Sequence, residues 1–259
     1  MTAHQTMDAK PRPRLGAVLR ATAEFAAIIA LVVVSRTVVA QPFYVTSGSM
    51  EPTLQIGDEL LASKFAYGYS RYSLPFAFGP SSPDRLLGRV PKRGDVVLFN
   101  LPRDPQEVYV KRVMGVPGDR VQLRDGYVWI NDHKLPLRRD GLGQLEDQDG
   151  SKIAVPRYIE TLPDGSEHPV FKLSWSGSMN DTAVFEVPPG HLFVMGDNRD
   201  DSLDSRVPAH ARGVGFVPLE NLIGRADIVL GSWDFPITNQ PFWNWASGLR
   251  LSRFFFRVS

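Results

Sequence analysis

The 259-residue sequence contains no cysteine. That excludes disulfides, thiolate metal sites and a cysteine nucleophile. Charge of one sign is also missing: 29 lysines and arginines face 28 aspartates and glutamates, a formal net charge of +1. A nucleic-acid binder needs a basic excess, so that class is set aside. Histidine is scarce. His4 lies in a basic leader, His133 and His168 in a turn-rich stretch, His191 at a strand start, and His210 in a loop. None has the setting of the base in a Ser-His-Asp triad, and they read as surface or capping residues. Long apolar runs are few, and beyond residue 40 no segment sustains a helical period. What remains is 43% hydrophobic, enough for a buried core and too apolar for a disordered chain. With 22 glycines and 21 prolines, it is punctuated into many turns and short strands.

The N-terminus carries Lys10, Arg12, Arg14 and Arg20, followed by the uncharged run F-A-A-I-I-A-L-V-V-V-S from Phe25 to Ser35. A membrane span takes about 20 residues. Leu15 to Ala40 reaches that length only by including Arg20, Glu24 and Arg36, whose side chains would have to snorkel towards headgroups. The next basic residue after Arg36 is Lys64, an asymmetry that places the N-terminus in the cytoplasm and the bulk of the chain outside. Three readings compete here: a transmembrane anchor over 21–40 behind a cytoplasmic leader at 1–20, a removable signal with V-V-A at 38–40 as its cleavage site, and a buried core helix.

Strand signals dominate from Gln41 onwards. G-D-V-V-L-F-N at 94–100 and E-V-Y-V-K-R-V-M-G-V at 107–116 are β-branched runs, and 191–195 and 223–230 predict further strands. Residues 121–130 predict a hairpin turning at Asp125-Gly126. Residues 132–187 are polar and turn-rich, which predicts an inserted subdomain between core segments 41–131 and 188–235. Residues 236–259 form a tail mixing aromatics, Trp243 and Trp245 among them, with arginine. It either lies at a lipid interface or packs on the sheet. The expected class is mostly β.

Without cysteine or a suitable histidine, covalent chemistry falls to a hydroxyl activated by a neutral lysine. Lys111 lies mid-strand between Tyr109 and Val113 on one face, either as a solubility device on an edge strand or as a desolvated base. The second role needs a pKa lowered from about 10.4 to about 8, which costs about 3.3 kcal/mol of desolvation or like-charge repulsion. A serine candidate stands in S-G-S-M-E-P-T-L at 47–54, where Gly48 permits close backbone approach and Pro52 sets a turn beyond Ser49. The tetrapeptide S-G-S-M recurs at 176–179, so four letters alone decide nothing. The acidic run Asp197, Asp200, Asp201 and Asp204 lacks the spacing of a calcium loop, with Arg199 and Ser202 at its third and sixth places. No metal or cofactor is expected.

Four blocks in order then carry a resemblance: S-G-S-M-E-P-T-L at 47–54, R-G-D-V-V-L-F at 93–99, Y-V-K-R-V-M-G-V-P-G-D at 109–119 and G-H-L-F-V-M-G-D-N-R-D-D-S-L-D-S-R at 190–206. G-F-V-P at 215–218 and N-L-I-G-R-A at 221–226 extend it. The chain resembles the bacterial signal peptidase I (leader peptidase) family of membrane-bound serine–lysine proteases. The resemblance implies a β-rich signal-peptidase-like catalytic core with an inserted subdomain, behind one uncleaved N-terminal transmembrane helix. It implies Ser49 as nucleophile and Lys111 as general base, with the Ser49 N–H and the Ser47 hydroxyl as oxyanion donors. It further implies Ser202 orienting the lysine amine, Asp204 and Arg206 as a supporting ion pair, and Asp197 and Arg199 shaping the same loop. Phe43, Val45, Met50, Leu54 and Tyr109 are implied as lining for substrate pockets. The partners implied are signal peptides of exported preproteins, cut after small residues of A-x-A type, and the lipid bilayer of the bacterial cytoplasmic membrane. The loop V-P-A-H-A-R-G-V at 207–214 is longer than the family's usual link. Two rivals differ in kind: a self-cleaving serine–lysine repressor, which would need an upstream DNA-binding domain, and an exported, membrane-tethered β-rich binding module without catalysis.

Overall fold

The computed structural model describes residues 15–73, 85–146, 152–234 and 246–258. One α-helix, α1, occupies Leu15–Val38. The strands in chain order are β1 (Ala40–Tyr44), β2 (Asp58–Ser63), β3 (Val96–Leu101), β4 (Asp104–Gly115), β5 (Arg120–Arg124), β6 (Tyr127–Ile130), β7 (His133–Lys134) and β8 (Leu137–Glu146). They continue as β9 (Lys152–Thr161), β10 (Glu167–Phe171), β11 (Phe185–Glu186), β12 (His191–Met195), β13 (Val217–Pro218), β14 (Leu222–Ser232) and β15 (Phe256–Arg257). The described fold is mostly β, as the strand signals led one to expect.

An eight-stranded sheet runs β1-β2-β14-β3-β4-β12-β13, with β15 joined to β14. Its apolar sides close over two clusters, one with Met50, Leu54, Leu60 and Val229, the other with Val97, Phe99, Val113 and Val194. The expected hairpin forms as β5 and β6, with Asp125 and Gly126 both at positive φ. These strands, flanked by β11 and β7, make a second sheet, and Met114 from β4 packs into its core. A third sheet, β10-β9-β8, stands apart. It spans a narrower stretch than the polar segment 132–187, because β7 and β11 at that segment's ends pair with the hairpin instead.

The two termini differ in how they meet the expectations. The helix expected over 21–40 starts at Leu15, and the chain has turned to strand by Ala40. Among the described residues no helix is long and apolar enough to cross a membrane. The uncharged stretch from Phe25 to Ser35 is only about half of the roughly 20 residues that a span takes. At the other end, the described part of the tail packs on the sheet, one of the two placements expected for it. β15 adds to the main sheet, and Arg253 binds the Asp58 carboxylate and the Thr53 carbonyl. Trp243 and Trp245 lie outside the described residues.

The third sheet is tied to the loop after β12 by charge. Glu160 on β9 is buried and accepts two bonds from Arg199, at 2.7 and 2.5 Å, with His168 Nε2 at 3.3 Å. His168 is thus a buried residue beside a carboxylate, not the surface histidine that its polar neighbourhood suggests. Burial opposes the charge on Glu160, but Arg199 and His168 overcome it and hold the carboxyl well below its usual range. Backbone bonds Phe171 N–H to Asp197 O and Arg199 N–H to Phe171 O, at 2.9 and 3.0 Å, complete the tie. Removing one member of a buried pair strands the other charge, at a cost of about 3–5 kcal/mol. Urea unfolding of Glu160→Ala is therefore expected to show a loss of that size. Glu167→Ala, whose carboxylate is exposed, should stay within about 0.5 kcal/mol of the wild type.

Candidate active site

β4 lies between β3 and β12, so Lys111 is not on an edge strand. That removes the solubility reading. Its side chain is 3% exposed, beside the Tyr109 ring at 5.4 Å. Burial pushes its pKa down to about 8, overriding Asp204 and Asp197, which favour the ammonium; Arg206 adds to the lowering. This is close to the value that a lysine base requires.

Ser49 sits in a one-turn 3-10 helix, Gly48–Met50, closed by Glu51 N–H on Gly48 O at 3.0 Å. Asn198 holds that turn from the far side. Its N–H reaches Ser49 O at 3.1 Å and its side-chain amide reaches Gly48 O at 3.3 Å. The result places Lys111 Nζ 2.6 Å from Ser49 Oγ. A charged amine donates in this contact, whereas a neutral one receives the hydroxyl proton. Ser47 Oγ lies 3.2 Å from Ser49 Oγ, so all three polar groups meet at one point. The second S-G-S-M, at 176–179, forms an exposed turn in which Asn180 Nδ2 donates to Ser176 O.

Beneath this point the 196–206 loop is held by ion pairs. Arg112 follows Lys111, and strand alternation sends it to the opposite face. It grips Asp197 with two bonds of 2.8 Å in full burial, and Thr53 Oγ1 donates to the same carboxylate. Arg206 binds Asp204 with two bonds of 2.8 Å, and Gly196 N–H adds a third at 3.1 Å. Burial works against both carboxylates, yet their arginines keep each below the usual aspartate range. Lys172 reaches Asp200 at 2.6 Å. Gly196 cannot carry a side chain, since a Cβ there would run into Ser202 Oγ and the Ser49 carbonyl oxygen. Ser202 Oγ itself is buried without a hydrogen-bond partner among the described residues. No bond joins it to Lys111, the contact that the resemblance led one to expect. The long 207–214 loop is taken up by a one-turn 3-10 helix, Ala209–Ala211, and Arg212 in the left-handed region.

An open cleft of about 590 Å³ exposes the Ser49–Lys111 pair. Val45 and Tyr109 line it, joined by Tyr44, Ile56, Val110 and Leu203. Met50 and Leu54 do not; both are fully buried in the core of the main sheet, and Phe43 packs against that same cluster. Val45 belongs to that cluster as well as to the cleft wall, which the chain lines continuously from Tyr44 to Ser49. Sequence reasoning missed Arg112, Thr53, Glu160 and Lys172. An arginine among the apolar residues Val110 and Met114 was a usable signal for a buried pair. Glu160 had none, since its partner is 39 residues away. Among the described residues no group of three or more histidines, aspartates or glutamates is placed to hold a metal ion.

A buried amine with a lowered pKa, touching a hydroxyl that opens on a cleft, can activate that hydroxyl for acyl transfer. Comparison with known proteins finds similar peptidases. Signal peptidase I of Rickettsia typhi is 39% identical over 252 residues, covering 90% of this chain and 91% of that protein. The Rickettsia prowazekii signal peptidase I is 39% identical over 250 residues, covering 89% and 90%. A solved signal peptidase I structure from Enterococcus faecalis is 25% identical, covering 53% of this chain and 97% of that chain, at a TM-score of 0.30. Residues 18–233 match the signal peptidase, peptidase S26, family, and the chain belongs to that family of serine proteases.

Proposed function

We propose that the protein removes signal peptides from exported preproteins, with Ser49 as nucleophile and neutral Lys111 as general base. The observation that carries this reading is the 2.6 Å contact between Lys111 Nζ and Ser49 Oγ at a lysine that water barely reaches. Family membership supports the removal of signal peptides; the contact supports the dyad. In the reaction, the Ser49 proton passes to Lys111 Nζ as Oγ attacks the scissile carbonyl carbon. The resulting oxyanion is received by the Ser49 N–H and the Ser47 hydroxyl. Lys111 then gives its proton to the leaving amine, and the mature protein departs with a new N-terminus. A water that loses its proton to Lys111 attacks the acyl-enzyme and frees the signal peptide. At pH 7.5 a pKa of about 8 leaves about a quarter of the amine neutral, against about 0.1% for an ordinary lysine.

Asp204, Arg206, Asp197 and Arg199 keep the 196–206 loop under the amine, and the Ser202 hydroxyl, unpaired beside Gly196, is available to orient it. The substrate lies extended along the cleft, where Val45, Tyr109 and their apolar neighbours favour small residues of the A-x-A type. A binding module without catalysis gains nothing from a desolvated lysine pressed on a serine, which disfavours that alternative. Outward apolar side chains on α1, among them Phe25, Ile28 and Leu31, are uncovered by the rest of the fold. We read them as the contact with the cytoplasmic membrane, the basic leader on the cytoplasmic side and the β-domain outside.

Three outcomes test this reading. In detergent, Ser49→Ala and Lys111→Ala should each abolish preprotein cleavage, a loss beyond about a thousandfold, while Ser178→Ala stays near wild type by gel assay. Because the active amine is the unprotonated form, kcat/KM should rise with pH up to about 8 and then level. It should fall about tenfold per pH unit below that in a stopped peptide assay. Alkaline carbonate washing of membranes should leave the full chain in the pellet and release a variant lacking residues 1–38.

A further inference from the structure

Of the four aspartates in the 197–204 stretch, three have cations. Asp197 is held by Arg112, Asp200 by Lys172 and Asp204 by Arg206. Asp201 is different. Its carboxylate is exposed, has no hydrogen-bond or ion-pair partner among the described residues, and lines the cleft that holds Ser49 and Lys111. An acid used to hold the loop would be buried and paired like its neighbours. This one faces the space that a substrate would fill.

Among the described residues, Asp201 and Lys111 are the only carboxylate and the only cationic side chain on the cleft wall. In the working form Lys111 carries no charge, so the described cleft wall presents the unbalanced negative charge of Asp201. Its field reaches the reacting centre, since Asp201 acts with Asp204 and Asp197 to favour the ammonium form of Lys111. The elements that line the cleft also differ in kind. β4 and the segment after β1 supply Val45, Ile56, Tyr109 and Val110, a wall suited to the apolar residues ahead of the cut. Asp201 comes from a different element, the loop after β12, with Leu203 of the same loop, and β8 adds Leu145; a charged group there suits the segment after the cut better than the small apolar residues ahead of it.

Resting on the signal-peptide reading above, we propose that Asp201 is a specificity-determining residue for the segment just after the cut. It favours basic side chains there and penalises acidic ones. The charge lies in an open, hydrated cleft, so the effect is modest and sensitive to salt.

The test uses the full chain in detergent and three preprotein-derived peptides that differ only in Lys, Gln or Glu at the second residue after the cut. For the wild type, kcat/KM should follow Lys over Gln over Glu, with about tenfold between the extremes, shrinking severalfold in about 0.5 M salt. In Asp201→Asn the three values should fall within about twofold of one another, and Asp201→Lys should invert the order. An equal spread in wild type and Asp201→Asn, or no spread in the wild type, overturns the assignment while leaving the peptidase reading intact. If the wild type fails to cleave the Gln peptide in a Ser49-dependent way, the peptidase reading falls and takes this inference with it.

Discussion

One desolvated amine is the constraint on which the rest of the architecture depends. A lysine in water holds its proton far too tightly to act as a base near neutral pH. Lowering its pKa to about 8 costs about 3 kcal/mol, and the folded protein must supply that from packing elsewhere. β4 does so by running between β3 and β12, with Lys111 paired to Val97 of β3 and the adjacent Arg112 to Met195 of β12. An edge strand would have wetted the amine and restored its ordinary pKa.

A dry amine is useful only if its partner is held against it. Ser49 sits in a single tight turn, too short to be stable alone, and is clamped by Asn198 from the loop after β12. That loop carries several charges and would spread in water if left to itself. The fold pins three of its four aspartates to cations: Arg112 from the far face of β4, Arg206 from the loop itself, and Lys172 just beyond β10. Glu160 on β9 holds the loop's own Arg199 in the same way. The third sheet is therefore part of the support for the site, although it contributes only Leu145 to the cleft wall.

Much of this was legible in the residues. Strand runs around 96–101 and 107–115 and the Asp125-Gly126 turn follow from side-chain alternation and positive-φ chemistry, which act over a few residues. Elimination left Ser49 and Lys111 only as candidates, since cysteine is absent and no histidine is suitably set; their pairing followed from the family resemblance. The pocket lining was less legible: of Phe43, Val45, Met50, Leu54 and Tyr109, only Val45 and Tyr109 reach the cleft. An apolar residue suits a core and an apolar pocket equally well, so composition cannot separate the two. His168 was misjudged for a related reason. Its polar neighbours in sequence point away from it in space, and the carboxylate of Glu160 lies across the strand pair.

The sequence by itself determined a mostly β chain with a basic, apolar N-terminal helix, and a chemistry limited to a hydroxyl and an amine. Those outcomes depend on residue type and local spacing, which are written directly in the chain. Only the tertiary structure decided that Lys111 is dry, that it touches Ser49 and not Ser178, and that Asp201 alone of its acidic run faces the cleft. Burial and long-range charge pairing depend on which strands become neighbours. Here that brings together residues 62 and 85 positions apart, Lys111 with Ser49 and Arg112 with Asp197, through contacts that no local pattern encodes.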